Sequence, residues 1–187
     1  MPRRIFIAIN LPENIKNKLL SYQEKWPELP VRWTKKENLH ITLEFLGYLA
    51  DEELIELFQK TKEMVSEKES FSIRLNKICY GPPAKNPPQS MSPSDSFLRS
   101  SSRTPRMIWV MGEKIKDVNF FPEQQPPHIT LGRIKTWQFR QLELEERPEI
   151  NEEINLSFEV NSIEIMESQL KKGGPEYTTL ESAPLKS

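Results

Sequence analysis

The chain has 187 residues, enough to bury a core without disulfides, and its net charge of −1 lacks the basic excess of a protein that grips long nucleic acid through many phosphates. The single cysteine, Cys79, excludes an intramolecular disulfide and a cysteine-based zinc cluster, and a reducing, cytoplasmic setting is expected. No stretch approaches the roughly 18 apolar residues of a membrane span.

The start, Met1-Pro2-Arg3-Arg4 and then an apolar run over 5–9, has the outline of a leader peptide. The run is short, is broken by Asn10 and Pro12 and lacks a small-residue cleavage site, so it reads as a first strand. Pro12-Glu13 opens a helix in which Ile15, Leu19, Leu20 and Tyr22 form one apolar stripe, ending before Pro27. Short strands are predicted at 31–33 and 39–47. Asp51 is the expected cap of a second helix, carrying Leu54, Leu57, Phe58, Thr61 and Met64 or Val65 at helical spacing. Phe71, Ile73 and Leu75 alternate as a half-buried strand.

Residues 81–105 change character, to Gly-Pro-Pro, Asn-Pro-Pro and serine clusters, and read as a flexible Ser/Pro-rich insert. Strands are predicted again over 107–110 and from Pro127 or His128 to Ile134. Ile154, Leu156, Phe158 and Val160 then alternate, after which the apolar parity moves to Ile163 and Ile165, as a β-bulge would cause. Gly173-Gly174-Pro175 marks a turn before a last strand over 177–180. Several short strands with two clear helices indicate an α+β fold.

One tetrapeptide occurs twice, as His40-Ile41-Thr42-Leu43 and His128-Ile129-Thr130-Leu131, and these are the only two histidines. On a strand, alternation directs each His and Thr to one face while Ile and Leu enter the core. Two such strands around a pseudo-two-fold axis would aim two imidazoles and two hydroxyls into one cleft. That constellation suits a phosphodiester, which needs a base on the incoming water and an acid on the departing oxygen. Histidine, with an ordinary pKa near ~6.5, serves in either role. The threonine hydroxyls are candidates for binding the non-bridging phosphate oxygens. No metal is expected, since a third histidine is lacking and Glu44 is expected to point away from the motif face of its strand. Arg133 lies at odd parity to His128 and reaches a phosphate only if the strand ends or twists there. Trp33, Tyr48 and Trp109 are able to stack on a nucleobase, but core packing is the favoured expectation for each.

With these motifs in place the chain resembles the RNA 2',3'-cyclic phosphodiesterases of the two-histidine phosphoesterase superfamily, historically labelled 2'-5' RNA ligases. The likeness extends in order through Arg4 to Ile9, Trp33 to Gly47, Pro105 to Trp109, Pro127 to Arg133 and Glu167 to Leu170 with Gly174 and Tyr177. The resemblance implies one bilobal domain over 1–187, with two pseudo-symmetric antiparallel sheets, outer helices and a central cleft. It implies cofactor-free hydrolysis of a 2',3'-cyclic phosphate to a 2'-phosphate, with His40 as proton donor, His128 as proton acceptor, and Thr42 and Thr130 orienting the phosphate. The partner implied is RNA bearing such an end, or a small cyclic nucleotide, and a monomer is expected. Two departures stand out: a long insert at 81–105, and a segment between Trp109 and His128 that is short for the helix usually found there.

Two rival readings use the same residues. A 2'-5' RNA-end ligase would run the reaction backwards through both histidines, although no nucleotidyl-transfer lysine motif is present and hydrolysis should win in dilute water. A non-enzymatic nucleotide or RNA-end binding module would retain the pocket without turnover, and binding alone seldom needs an acid and a base.

Overall fold

The computed structural model describes residues 1–82, 104–113 and 126–186, so most of the expected insert and of the segment preceding the second motif lies outside the described residues. In chain order the elements are β1 (Arg3–Asn10), α1 (Glu13–Gln23), β2 (Val31–Trp33), a 3-10 turn (Lys36–Asn38), β3 (His40–Leu49), α2 (Asp51–Ser66) and β4 (Phe71–Gly81). Then follow β5 (Met107–Gly112), β6 (His128–Ile134), α3 (Thr136–Gln141), a second 3-10 turn (Leu144–Glu146), β7 (Asn151–Val160), β8 (Ser162–Lys171) and β9 (Gly174–Pro184).

The strands pair antiparallel in the order β7-β4-β5-β6-β3-β1-β8-β9, with β2 attached to β6. This order has two halves, β6-β5-β4-β7 and β3-β1-β8-β9, which meet at a single registered pair, Ile41 with Ile129. The two half-sheets expected from the resemblance therefore touch at one rung, between the two motif strands. Where β3 and β6 diverge, β2 fills the gap, pairing Val31, Arg32 and Trp33 with Ile134, Arg133 and Gly132.

Alternation explains the layers. On β1, Ile5, Ile7 and Ile9 point to the helical side, where Ile15 and Leu19 of α1 and Leu54 and Val65 of α2 join them in the core. Phe6 and Ala8 point to the other side, where Phe6 meets the His40 ring at 5.1 Å. Strand β1 is buried on both faces, which is why it reads as a continuous apolar run.

Two expectations are corrected, and one helix is added. The cap of α2 is Ala50, whose N–H donates to the Glu53 carboxylate at 2.7 Å. Asp51 is the first helical residue and faces Arg3 at 3.5 Å instead. The parity change after Val160 is no bulge: β7 pairs with β4 in one half, β8 pairs with β1 and β9 in the other, and Asn161 is the crossing point. Helix α3 was not predicted, because six residues with one buried apolar side chain, Phe139, leave no periodicity to read.

Candidate active site

Both motifs form strand starts with the same burial pattern, in which Ile41, Leu43, Ile129 and Leu131 are buried and His40, Thr42, His128 and Thr130 are half-exposed. All four polar residues line one cleft of about 600 Å³ between the halves, a volume suited to a small-molecule ligand. Arg133 lines it too.

The placement of Arg133 comes from a bulge. On β6, Thr130 pairs with Trp109 and Gly132 with Ile108, so Leu131 is an extra residue and the parity changes after it. Arg133 then pairs with Met107, which stands on the same side as Trp109 and Thr130, and its guanidinium is returned to the cleft. Strand β3 carries the equivalent irregularity, where Thr42 pairs with Ala8 and Glu44 with Ile7. The irregularity returns Phe45 to the face of Phe6 and Ala8; Glu44, expected to point away from the motif face, is exposed and lines the cleft, in keeping with its even spacing from His40 and Thr42. Among the described residues, no three of His, Cys, Asp and Glu cluster as a metal site.

The bulge on β6 frees two carbonyls, and both find donors. The Thr34 hydroxyl donates to Thr130 O at 2.8 Å, the Thr34 N–H to Leu131 O at 3.0 Å, and Gln23 Nε2 to Leu131 O at 3.2 Å. Without these partners the buried carbonyls would each cost about 1–3 kcal/mol.

Each imidazole is oriented by the carbonyl two residues before it. His40 Nδ1 lies 2.7 Å from Asn38 O and His128 Nδ1 lies 3.3 Å from Pro126 O. A carbonyl only accepts, so both Nδ1 atoms carry the proton, and in the neutral rings Nε2 is the basic nitrogen. Thr42 Oγ1 is 2.9 Å from His40 Nε2 and donates to it while that nitrogen is unprotonated. The ring surroundings differ. His40 lies against Phe6 and edge-on to Tyr177, each at 5.1 Å, whereas His128 stacks on Trp109 at 4.0 Å. Trp109 is itself held over Gly81, where a Cβ would come within 2.3 Å of the indole. It is thus packed, as expected, but against the site.

Burial lowers the pKa of both histidines from their ordinary value. For His40 the Asn38 carbonyl opposes that shift, while the charges of Lys16 and His128 add to it; for His128 the Pro126 carbonyl opposes it. Burial raises the Tyr177 phenol, against the pull of Arg133 and Arg4.

Several residues here carried no signal of their own in the sequence. Asn38 donates through Nδ2 to Pro175 O at 2.8 Å, and Arg32 Nη2 donates to Gly173 O at 2.7 Å. Together they pin the β8–β9 turn beside the first motif and so bring Tyr177 to His40. Phe6, Arg4 and Ser168 complete that wall. Trp33 is half-buried on the cleft wall, while Tyr48, expected in the core, is 68% exposed.

An α+β sheet whose two halves face paired His-x-Thr strands across one cleft is the architecture of the two-histidine phosphoesterases. Residues 9–90 of the chain match the family described as "LigT like Phosphoesterase". The chain is similar to the RNA 2',3'-cyclic phosphodiesterase of Methanocaldococcus jannaschii, 27% identical over 192 residues that span 95% of this chain and 98% of the relative. The enzyme of the same name from Thermotoga maritima is also 27% identical, over 95% of this chain and 92% of its own. The fold is similar to that of TT0787 of Thermus thermophilus, with a TM-score of 0.72 at 22% identity and 97% coverage of both chains. Escherichia coli LigT complexed with 3'-AMP gives 0.68 at 23% identity, covering all of each chain.

Proposed function

We propose that this protein hydrolyses 2',3'-cyclic phosphate ends of RNA to 2'-phosphomonoesters, with its two histidines as acid and base and without a metal. The observation that carries the reading is the cleft in which both motifs meet, lined among the described residues by four cations, Arg4, Arg32, Lys35 and Arg133, against one carboxylate, Glu44. A chain of net charge −1 thus concentrates positive potential at one place, suited to a terminal phosphate and not to a long duplex. The names of the relatives over nearly the whole chain support the same substrate class.

In this mechanism the cyclic phosphate lies between the two Nε2 atoms. His128 Nε2 takes a proton from water as the water oxygen bonds to phosphorus. His40 Nε2–H protonates the 3' oxygen as the P–O3' bond breaks, leaving a 2'-phosphate. The shorter Asn38 contact, at 2.7 Å against 3.3 Å for Pro126, favours the charged imidazole at His40 and hence the donor role there. Thr42 and Thr130 hydrogen-bond the non-bridging oxygens, and Arg133 neutralises the charge that develops on them. Because each half supplies one motif, the 187 residues act as one bilobal catalytic unit, and we expect it to work as a monomer. No described helix is long and apolar enough to cross a membrane, and a single thiol in a protein that acts on RNA ends fits the cytoplasm.

The test is incubation with a nucleoside 2',3'-cyclic phosphate in EDTA, beside His40→Ala and His128→Ala. A 2'-phosphate formed by the unaltered protein alone is expected. Turnover that EDTA abolishes would overturn the metal-free mechanism, a 3'-phosphate product would reverse the leaving group, and accumulation of joined product with excess 5'-hydroxyl RNA would favour the ligase.

A further inference from the structure

From the cleft wall outward, the sheet face that carries His40 continues as an exposed aromatic surface that begins at Phe45 and runs on to Tyr48. The bulges of β3 set its register: Asn10 pairs with His40, Ala8 with Thr42, Phe6 with Phe45 and Arg4 with Tyr48. Residues paired directly share a face, so His40, Thr42, Phe45 and Tyr48 point the same way as Ala8, Phe6 and Arg4. Leu46 is the extra residue in the second bulge, and Gly47 beside it, at φ 82°, takes the left-handed conformation that glycine adopts without strain. The bulge returns Tyr48 to the cleft face, where simple alternation from Phe45 would have turned it away.

Phe45 is 64% exposed and Tyr48 68% exposed, although each sits on a sheet face whose neighbour Phe6 is buried. Between them lies Arg4, half-buried, which reaches the cleft and the surroundings of Tyr177. Arg4 makes no ion pair among the described residues, whereas Arg3, on the opposite face of the same strand, pairs with Asp51 at 3.5 Å. Two exposed rings beside an unpaired guanidinium match the needs of single-stranded RNA, which uses aromatic platforms for bases and cations for phosphates. Tyr48 stands six residues along β1 from the partner of His40, about 20 Å of strand. Arg4 and Phe45 line the cleft, whereas Tyr48 lies outside its lining.

We infer that Phe45, Tyr48 and Arg4 form a second nucleotide subsite, which takes the nucleotide on the 5' side of the terminal one, Tyr48 stacking on its base and Arg4 contacting the linking phosphate. The inference rests on the reading of the cleft as an RNA-end site. It makes the preferred substrate an oligonucleotide end and not a free cyclic nucleotide.

The experiment compares binding of adenosine 2'-phosphate with that of the dinucleotide ApA carrying a terminal 2'-phosphate, by calorimetric titration, in the unaltered protein and in Tyr48→Ala. The dinucleotide is expected to bind on the order of tenfold more tightly, the gain from one stacked base. Tyr48→Ala is expected to remove most of that gain while leaving adenosine 2'-phosphate binding unchanged. Arg4→Gln should flatten the salt dependence of dinucleotide binding. A dinucleotide bound no more tightly than the mononucleotide, or a Tyr48→Ala loss equal for both, overturns the subsite. Turnover of the corresponding cyclic phosphates is read separately: the binding difference without any turnover would keep the subsite and sink the hydrolase reading. Since Tyr48 is largely in solvent, its truncation does not threaten the fold.

Discussion

The two halves of the sheet present the same tetrapeptide, on the same kind of bulged strand, in different surroundings. In one half His40 is enclosed by Phe6 and Tyr177 and bonded at both ring nitrogens, to Asn38 O at 2.7 Å and Thr42 Oγ1 at 2.9 Å. In the other, His128 has one longer bond, 3.3 Å to Pro126 O, and a flat stack on Trp109 at 4.0 Å. The motif strand of the second half is braced from outside, by Thr34 and Gln23 on its bulge carbonyls. A repeated motif therefore presents two imidazoles in unlike surroundings: among the described residues His40 is held at both ring nitrogens and His128 at Nδ1 alone, the difference on which the proposed division into proton donor and acceptor rests.

The largest expected effect tests whether the halves form one device. His40→Ala and His128→Ala should each lower kcat by about 10²–10⁴, and the double variant by little more than the worse single one, because acid and base act in one transition state. Additive losses in a steady-state assay would mean that the halves act independently. Next in size is the support of His128. Trp109→Ala removes a buried ring and should cost about 3–5 kcal/mol in urea unfolding, whereas Trp109→Phe should retain part of the stack and most of the activity. Equal kcat for Trp109→Ala and the unaltered protein would show that the stack only fills space. Smaller again is Thr34→Val, which leaves Thr130 O without its hydroxyl donor and should cost about 1–3 kcal/mol. It should lower kcat with His40 titrating as before, since only the second half is touched; a shift in the His40 titration would break the separation of the halves.

What the sequence made legible follows from periodicity. Both His-x-Thr faces could be read, because Ile41, Leu43, Ile129 and Leu131 alternate with them and fill the core. The bulges could not, since an extra residue is defined by the partner strand: Leu131 is surplus only because Trp109 pairs with Thr130 and Ile108 with Gly132. Beyond the bulges, Arg133 was accordingly left open and Tyr48 was assigned to the core, whereas Glu44 was misplaced without one, since its even spacing from His40 and Thr42 already puts it on their face. The parity change after Val160 was visible, yet two strands paired in opposite halves leave the same trace as a bulge. Asn38 and Thr34 were unreadable for a related reason, as their partners Pro175 and Thr130 are 137 and 96 residues away.

The smallest effect is one of pH, and it sharpens the comparison most. Burial lowers both imidazoles in the free protein, so the form holding one proton between them is populated below the ordinary histidine value of ~6.5. The bell of kcat/KM, which reports the free enzyme, should therefore be centred below that value. The anionic cyclic phosphate favours both imidazolium forms, so the bell of kcat should lie at higher pH. Stability follows the same sign. Above ~6.5 neither native nor unfolded histidine binds a proton and the pair contributes nothing; as pH falls below it, the unfolded chain takes up protons that the native pair resists, and stability declines. Because the chain has only two histidines, His128→Ala leaves one imidazole to follow by NMR without assignment. With the neighbouring positive charge gone, His40 should titrate higher than in the unaltered protein, yet still below ~6.5, because burial is the first cause of its shift. A His40 that returned to ~6.5 in this variant would mean that repulsion between the halves, and not the enclosure by Phe6 and Tyr177, sets its proton affinity.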